Sequence, residues 1–343
     1  MLELVNDSGV GAVLVPGWDR KRHYQWVLVS RLTLNFSLDG HLTVAQPQPA
    51  PLLVDMHYGK PGKTSLKSAS EIASFKQGAE YYLSGHARPP APTSQARVGV
   101  EIRQQQRHYR KTLVALGEHR WQKGVLGAKR SAPEPFERLP LRYEFAYGGS
   151  HEKQGRREKR NPVGRGFNPS GWSLLDERAP QLEYAGRAVA SPARSAAVAG
   201  FAPMPVFWSP RQARFGTPPD DPLAEQGCPW GADASAFVHH CAPQDQWLER
   251  PFQGGESITL NGFFGQRETV ALTLPRWAPQ ALLIARGRAP QRLSSQCDTL
   301  VIDTDARQLA LVARCPVDPA RLNGQPAWLR LEASSRTGHG EGA

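Results

Sequence analysis

The chain has 343 residues, of which 40% are hydrophobic, including nine Trp and twelve Phe. That is enough to bury one or two sizeable cores, and no run approaches the roughly 18 apolar residues of a membrane-spanning helix. A formal net charge of +11 favours anionic partners, whether nucleic acid, an acidic protein surface or a phospholipid headgroup, without choosing among them.

The first residues, Met1 to Asp7, include an early acid and neither a basic stretch nor a sustained apolar run, so no secretory signal is read there and a cytoplasmic location is expected. From Trp26 to Leu38 the even positions are mostly apolar, and after Val29 the odd ones are polar, the period of a half-buried strand. A turn at Asp39-Gly40 follows. A three-residue loop, Asp39 to His41, pairs Leu38 with Leu42 and Phe36 with Val44 and keeps the apolar side chains on one face. Period two returns at Val98, Val100 and Ile102, at Lys111 to Leu116, and at Leu141, Tyr143, Phe145 and Tyr147. Later it marks Ile258 and Leu260, then Val270 to Leu274, then Leu300 to Ile302 and Leu309 to Leu311 around the turn Asp303-Thr304-Asp305. Helical periodicity is confined to Trp172 to Arg178 and Asp245 to Arg250, and 30 prolines and 32 glycines argue against more.

The expected architecture is therefore mainly β, with antiparallel sheets, sandwich or barrel-like, in two packed halves around a long loop-rich middle with little helix. Residues 1–150 read as an N-terminal β domain and 151–243 as a Gly/Pro/aromatic middle packed on the core. Residues 244–333 read as a C-terminal segment completing a second sheet, and 334–343 as a flexible tail.

Motifs with chemical content are incomplete. Gly59-Lys60-Pro61-Gly62-Lys63-Thr64 imitates a phosphate-binding loop, but only two residues separate its glycines where that loop needs four, so it reads as a Pro-Gly turn. His151-Glu152 lacks a second histidine at zinc-protease spacing. His239-His240-Cys241, with Cys228 upstream, groups metal-competent side chains, but neighbouring residues of a strand point to opposite faces. The four cysteines, Cys228, Cys241, Cys297 and Cys315, have no CxxC spacing and read as buried thiols. No Gly-x-Ser-x-Gly elbow is present. Neither a metal nor a cofactor is expected, and no catalytic residue is assigned. Arg103 to Tyr109 with Lys111 reads as an exposed strand face with charged tips. Arg156 to Arg160, interrupted by Glu158, reads as a solvated loop.

The richest stretch pairs Tyr147-Gly148-Gly149 with Asn161-Pro162-Val163-Gly164-Arg165-Gly166-Phe167. Glycine and proline at this density specify one backbone path. Together with Tyr58 to Leu66, Phe75 to Gly78, Pro135 to Glu137, Pro140 to Glu144, Ala199 to Pro205 and Trp208 to Arg211, it resembles a bacterial family labelled domain of unknown function 2169 (DUF2169), over most of the chain. The resemblance implies a type VI secretion adaptor or chaperone whose partners are an effector protein and the spike protein VgrG. It transfers no catalytic residue. Arg165, Tyr147, Phe167, Trp208 and Arg211 are the candidates for organising an interaction surface. Gly148, Gly149, Asn161, Pro162, Gly164 and Gly166 are read as backbone necessities. The stretch Ala232 to Cys241 departs from the family pattern, which points to it as a place for effector specificity. Two other readings stay open: an all-β carbohydrate-active enzyme using clustered Trp and Tyr, and a basic nucleic-acid-binding protein.

Overall fold

A computed structural model describes residues 2–125, 127–151, 155–167, 177–191, 195–322 and 324–332. Two long antiparallel strands, Tyr24–Phe36 and Gln308–Val317, pair from Asn35 with Gln308 to Trp26 with Val317. They occupy the middle of a seven-stranded sheet. Its order is Trp247–Leu248, Ala79–Ser84, Gln296–Asp303, Gln308–Val317, Tyr24–Phe36 and Gly11–Trp18, with Leu42–Val44 added beside the end of Tyr24–Phe36. Alternation sends Leu28, Leu32 and Leu34 of one long strand and Leu309, Leu311 and Cys315 of the other to one face.

That face is covered twice. Around Leu32 to Phe36 it meets Val98, Val100, Ile102, Leu113, Ile258 and Leu260. These belong to a five-stranded sheet ordered Leu182–Tyr184, Arg107–Leu116, Gln95–Gln104, Ser257–Phe264 and Arg267–Thr273. Around Leu28 and Cys315 it meets Leu283, Leu329 and Leu331, from a sheet ordered Leu2–Asn6, Ala327–Leu331, Gln280–Ala285 and Gln291–Ser294. The molecule is thus mainly β and largely antiparallel, and among the described residues its sheets stack without any of them closing into a barrel. Each of these three sheets mixes strands from before residue 150 with strands from beyond residue 243. Leu2–Asn6 and Ala79–Ser84 run parallel to Ala327–Leu331 and Gln296–Asp303.

Four local expectations are corrected. The strand from Trp26 is buried on both faces, because Val27 and Val29 pack with Val13, Val15, Ile72 and Val312. The covering Ile72 lies outside any strand and leaves no periodic signal. The hairpin after it pairs Phe36 with Leu42 and Leu34 with Val44, two residues away from the expected register. The Ser37 N–H donates to His41 O at 3.0 Å and closes the loop one step earlier. Leu141 to Tyr147 is no continuous strand: a 3-10 turn at Tyr143–Phe145 interrupts it, with the Ala146 N–H donating to Tyr143 O. Asp245 to Arg250 holds only the 3-10 turn Gln244–Gln246 before the strand Trp247–Leu248.

The α-helices of the described residues are short, Ser209–Gln212 and Pro222–Glu225. The second starts at Asp221, whose carboxylate accepts from Leu223 and Ala224 N–H ahead of Pro222, a start signal legible in sequence. Most of Trp172 to Arg178, and the expected tail 334–343, lie outside the described residues.

Candidate functional site

Asn161 anchors the glycine-rich stretch. It is fully buried, and its side-chain Nδ2 donates to Tyr143 O at 2.8 Å and Tyr147 O at 3.0 Å, while its carbonyl accepts from Gly149 N–H at 2.8 Å. Pro162 follows it in a turn closed by Gly164 N–H on Asn161 O at 3.4 Å. The chain then runs back beside the first glycine pair, with Tyr147 opposite Arg165 and Gly148 opposite Gly166 in a short parallel bridge. Side chains do not fit here. A Cβ on Gly164 would lie 2.4 Å from Asn161 Nδ2 and 2.7 Å from Ala146 O, and one on Gly148 would lie 2.2 Å from Asn161 O.

This knot gathers five of the seven sequence blocks around Tyr143–Phe145. The Tyr143 hydroxyl donates to Ala202 O at 2.9 Å, and its ring meets Trp208 edge-on at 5.1 Å. Arg142 lies 3.6 Å over the ring of Tyr58, and Glu144 accepts from both the N–H and the hydroxyl of Ser65. Arg165 donates to Glu144 O and to Gln181 Oε1 and sits 4.5 Å over Phe145. Arg211 donates to Met204 O. The other two blocks lie elsewhere: Phe75 meets Trp230 and His239 edge-on, and Phe136 bridges Thr93.

The residues named from the sequence therefore come together, but mostly as internal ties. Trp208 and Tyr147 are buried, Phe167 packs half-buried against the cluster of Trp121 and Tyr147, and Arg165 and Arg211 donate inward to carbonyl and amide oxygens. Trp208, against Tyr143, and Arg211, bonded to Met204 O, sit directly behind residues that border an open surface.

That surface is a cleft of about 970 Å³ bordered by Tyr143, Tyr184, Arg187, Met204, Arg214, Phe237, Asp245 and Trp247, among others. On one wall Phe237 and Trp247 stack at 4.6 Å, with Arg214 4.7 Å over Trp247 and donating to His240 O. Burial pushes the Arg214 guanidinium down to about 10. At the base, buried Lys111 donates to Asp245 Oδ1 at 2.8 Å and Gln246 Oε1 at 2.7 Å. It also lies 5.3 Å over Tyr184 and 5.4 Å over Phe201. Burial pushes this ammonium down to about 8, with Asp245 opposing the shift. Burial, reinforced by Asp245, raises the Tyr184 phenol. Gln246 in turn donates to Tyr81 O and Phe201 O and ties the cleft base to the large sheet.

Sequence reasoning missed Lys111, Arg187, Arg214, Asp245 and Trp247. One signal was available: Lys111 is in phase with Leu113 and Ala115, the buried face of its strand, so it is no exposed tip. Arg103, Arg107 and His108 are exposed as expected, with Arg107 paired to Glu249 and His108 to Glu101, whereas Gln104 between them is buried. The phosphate-loop imitation is a turn between the short strands Met56–His57 and Leu66–Ser68. His240 is fully buried beside Phe237 and Trp247, and burial holds it down at about 4 and its neighbour His239 at about 3. All four cysteines are buried and unpaired, and burial lifts the Cys241 thiol to about 12. Glu80 accepts from the N–H groups of Cys241 and Ala242 and pairs with Lys76. Burial works against the Glu80 carboxylate, yet Lys76, His240 and the Ala242 N–H hold it at about 2. Among the described residues no helix is long and apolar enough to cross a membrane.

Over residues 21–314 the chain matches the model of a family described as "Uncharacterized protein conserved in bacteria (DUF2169)". No curated protein and no solved structure matches it.

Proposed function

We propose that this chain, which belongs to the DUF2169 family, is a non-catalytic cytoplasmic adaptor that holds a type VI secretion effector and passes it to the spike protein VgrG. The observation that carries this reading is how the middle of the chain is built. Over its described residues a long stretch with little regular structure is ordered by buried aromatics and side-chain ties, and its product is an open cleft with aromatic and cationic walls. Long irregular segments held in one conformation in this way are characteristic of binding surfaces. A rigid, preorganised cleft also suits a carrier, because little ordering cost is left to offset on capture.

The test is affinity purification of the tagged full chain, at physiological salt, from cells that also express the open reading frames adjacent to its gene. The adjacent effector, the spike protein or both should co-elute. Recovery of neither would overturn the adaptor reading.

A further inference from the structure

We propose that the cleft walled by Tyr184, Arg187, Arg214, Phe237 and Trp247 is the effector-binding site and takes an acidic peptide segment. A carboxylate sits against the two guanidinium groups, and a neighbouring apolar side chain lies on the stacked rings. The partner's identity rests on the adaptor reading, whereas the chemistry of the occupant rests on the cleft alone.

The charge balance points to a carboxylate. Arg160 also borders the cleft, but Glu158 already holds it at 2.6 Å. The carboxylate in the cleft, Asp245, is answered by the Lys111 ammonium and the Tyr184 hydroxyl. Arg187 and Arg214 remain, and among the described residues neither has an ion-pair partner. Arg214 is only 9% exposed, and among the described residues its guanidinium donates to a neutral carbonyl, His240 O, while Glu80, already paired with Lys76, acts on it from beyond ion-pair distance. A guanidinium this buried without an anion in contact is costly. An incoming carboxylate recovers that cost through a charge-assisted, two-pronged contact.

The stacked Phe237 and Trp247 supply an apolar platform beside the charge, as aromatic anchors do at protein interfaces. A volume of about 970 Å³ is at the upper end of the roughly 300–1,000 Å³ of ligand sites, which suits several residues of extended chain. A neutral sugar would leave the guanidinium groups unanswered. A nucleic acid would need cations spread along a track, whereas these two are confined to one cleft.

The experiment is fluorescence anisotropy on the full chain with two labelled probes, Gly-Asp-Phe-Asp-Leu-Gly and its counterpart Gly-Lys-Phe-Lys-Leu-Gly. The acidic probe should bind and the basic one should not. Ala185 and Arg187 are both exposed at the cleft, so changes there leave folding intact. Arg187→Glu and Ala185→Glu should each weaken the acidic probe by about tenfold or more, while Ala185→Lys should strengthen it. The inference is overturned if neither probe binds, if the basic probe binds as well, if the three variants bind the acidic probe alike, or if a short oligothymidylate displaces it at lower concentration.

The same variants separate this inference from the adaptor reading. If wild type, Arg187→Glu and Ala185→Glu all co-purify the effector equally, the adaptor stands and the cleft falls. If wild type captures nothing while the probe titrations hold, the adaptor falls and the cleft stands.

Discussion

In the stacked sheets, the backbone groups of Tyr24–Phe36 and Gln308–Val317 answer one another position after position. In the irregular middle of the chain and the segments packed around it, the same demand is met by individual side chains. Asn161 caps two carbonyls, Gln246 caps two more, Glu144 takes a backbone and a hydroxyl donor from Ser65, and Glu80 takes two backbone donors. A ladder is redundant, since losing one side chain leaves its hydrogen bonds in place. A tie made by one side chain has no substitute, because a buried carbonyl left unanswered carries its full desolvation cost. The middle should therefore be the more sensitive region per substitution, although it has fewer regular elements.

The largest effect should follow Gly164→Val, where the new side chain meets backbone as well as Asn161. A loss of about 5 kcal/mol should appear as collapse of the near-ultraviolet circular dichroism before any binding defect can be measured. A folded variant that has lost only its partner would show that the knot is a contact site and not a brace. Trp208→Ala removes a fully buried ring against Tyr143 and should cost about 4 kcal/mol in chemical denaturation.

Acid should act next. His240 is neutral in the folded chain, held at about 4 against an ordinary 6.5. The unfolded chain therefore takes up the proton first, and the stability this contributes is complete above about pH 6.5 and lost progressively towards about pH 4. At about 1.4 kcal/mol per pH unit the loss is about 3 kcal/mol. The Glu80 carboxylate, held at about 2, contributes stability that is present above its ordinary 4.5 and is lost only below that. Replacing the histidine by His240→Phe should therefore make the fall of the denaturation midpoint shallower between about pH 6.5 and about pH 4.5, where His239, held at about 3, still contributes a slope, and leave a fall below it. Parallel curves for both proteins would mean that His240 is already charged.

The smallest effect should come from the ladder region. Ile258→Val, in the fully buried face opposite Ile102, should cost about 1 kcal/mol. If its denaturation midpoint drops as far as that of Trp208→Ala, the contrast between the two regions is wrong.

The legible parts of this fold are those carried by neighbours in sequence. Alternation located the strands around Val98, Ile258, Val270 and Leu300, and Asp303-Thr304-Asp305 marked a true turn, with Asp303 accepting from Asp305 and Ala306 N–H. The same rule misread Leu141 to Tyr147, because period two tests spacing and cannot see that the Tyr143 carbonyl is taken by Asn161. The candidate site was half visible. Its glycines and aromatics stood out by composition, but the cleft they support is walled by Arg214, Phe237 and Trp247, which follow no shared pattern.

By itself the sequence determined a mainly β chain with little helix, a glycine-rich stretch confined to one backbone path, and membership of one bacterial family. These rest on local sterics and alternation, and both act between residues close along the chain. Tertiary structure alone decided that Ala79–Ser84 lies parallel to Gln296–Asp303, that the segment carrying Ile72 covers the second face of the strand from Trp26, and that Lys111 is enclosed while Arg187 has no ion-pair partner among the described residues. Those outcomes depend on closing long loops and on which charges meet once they close. No local spacing encodes either quantity.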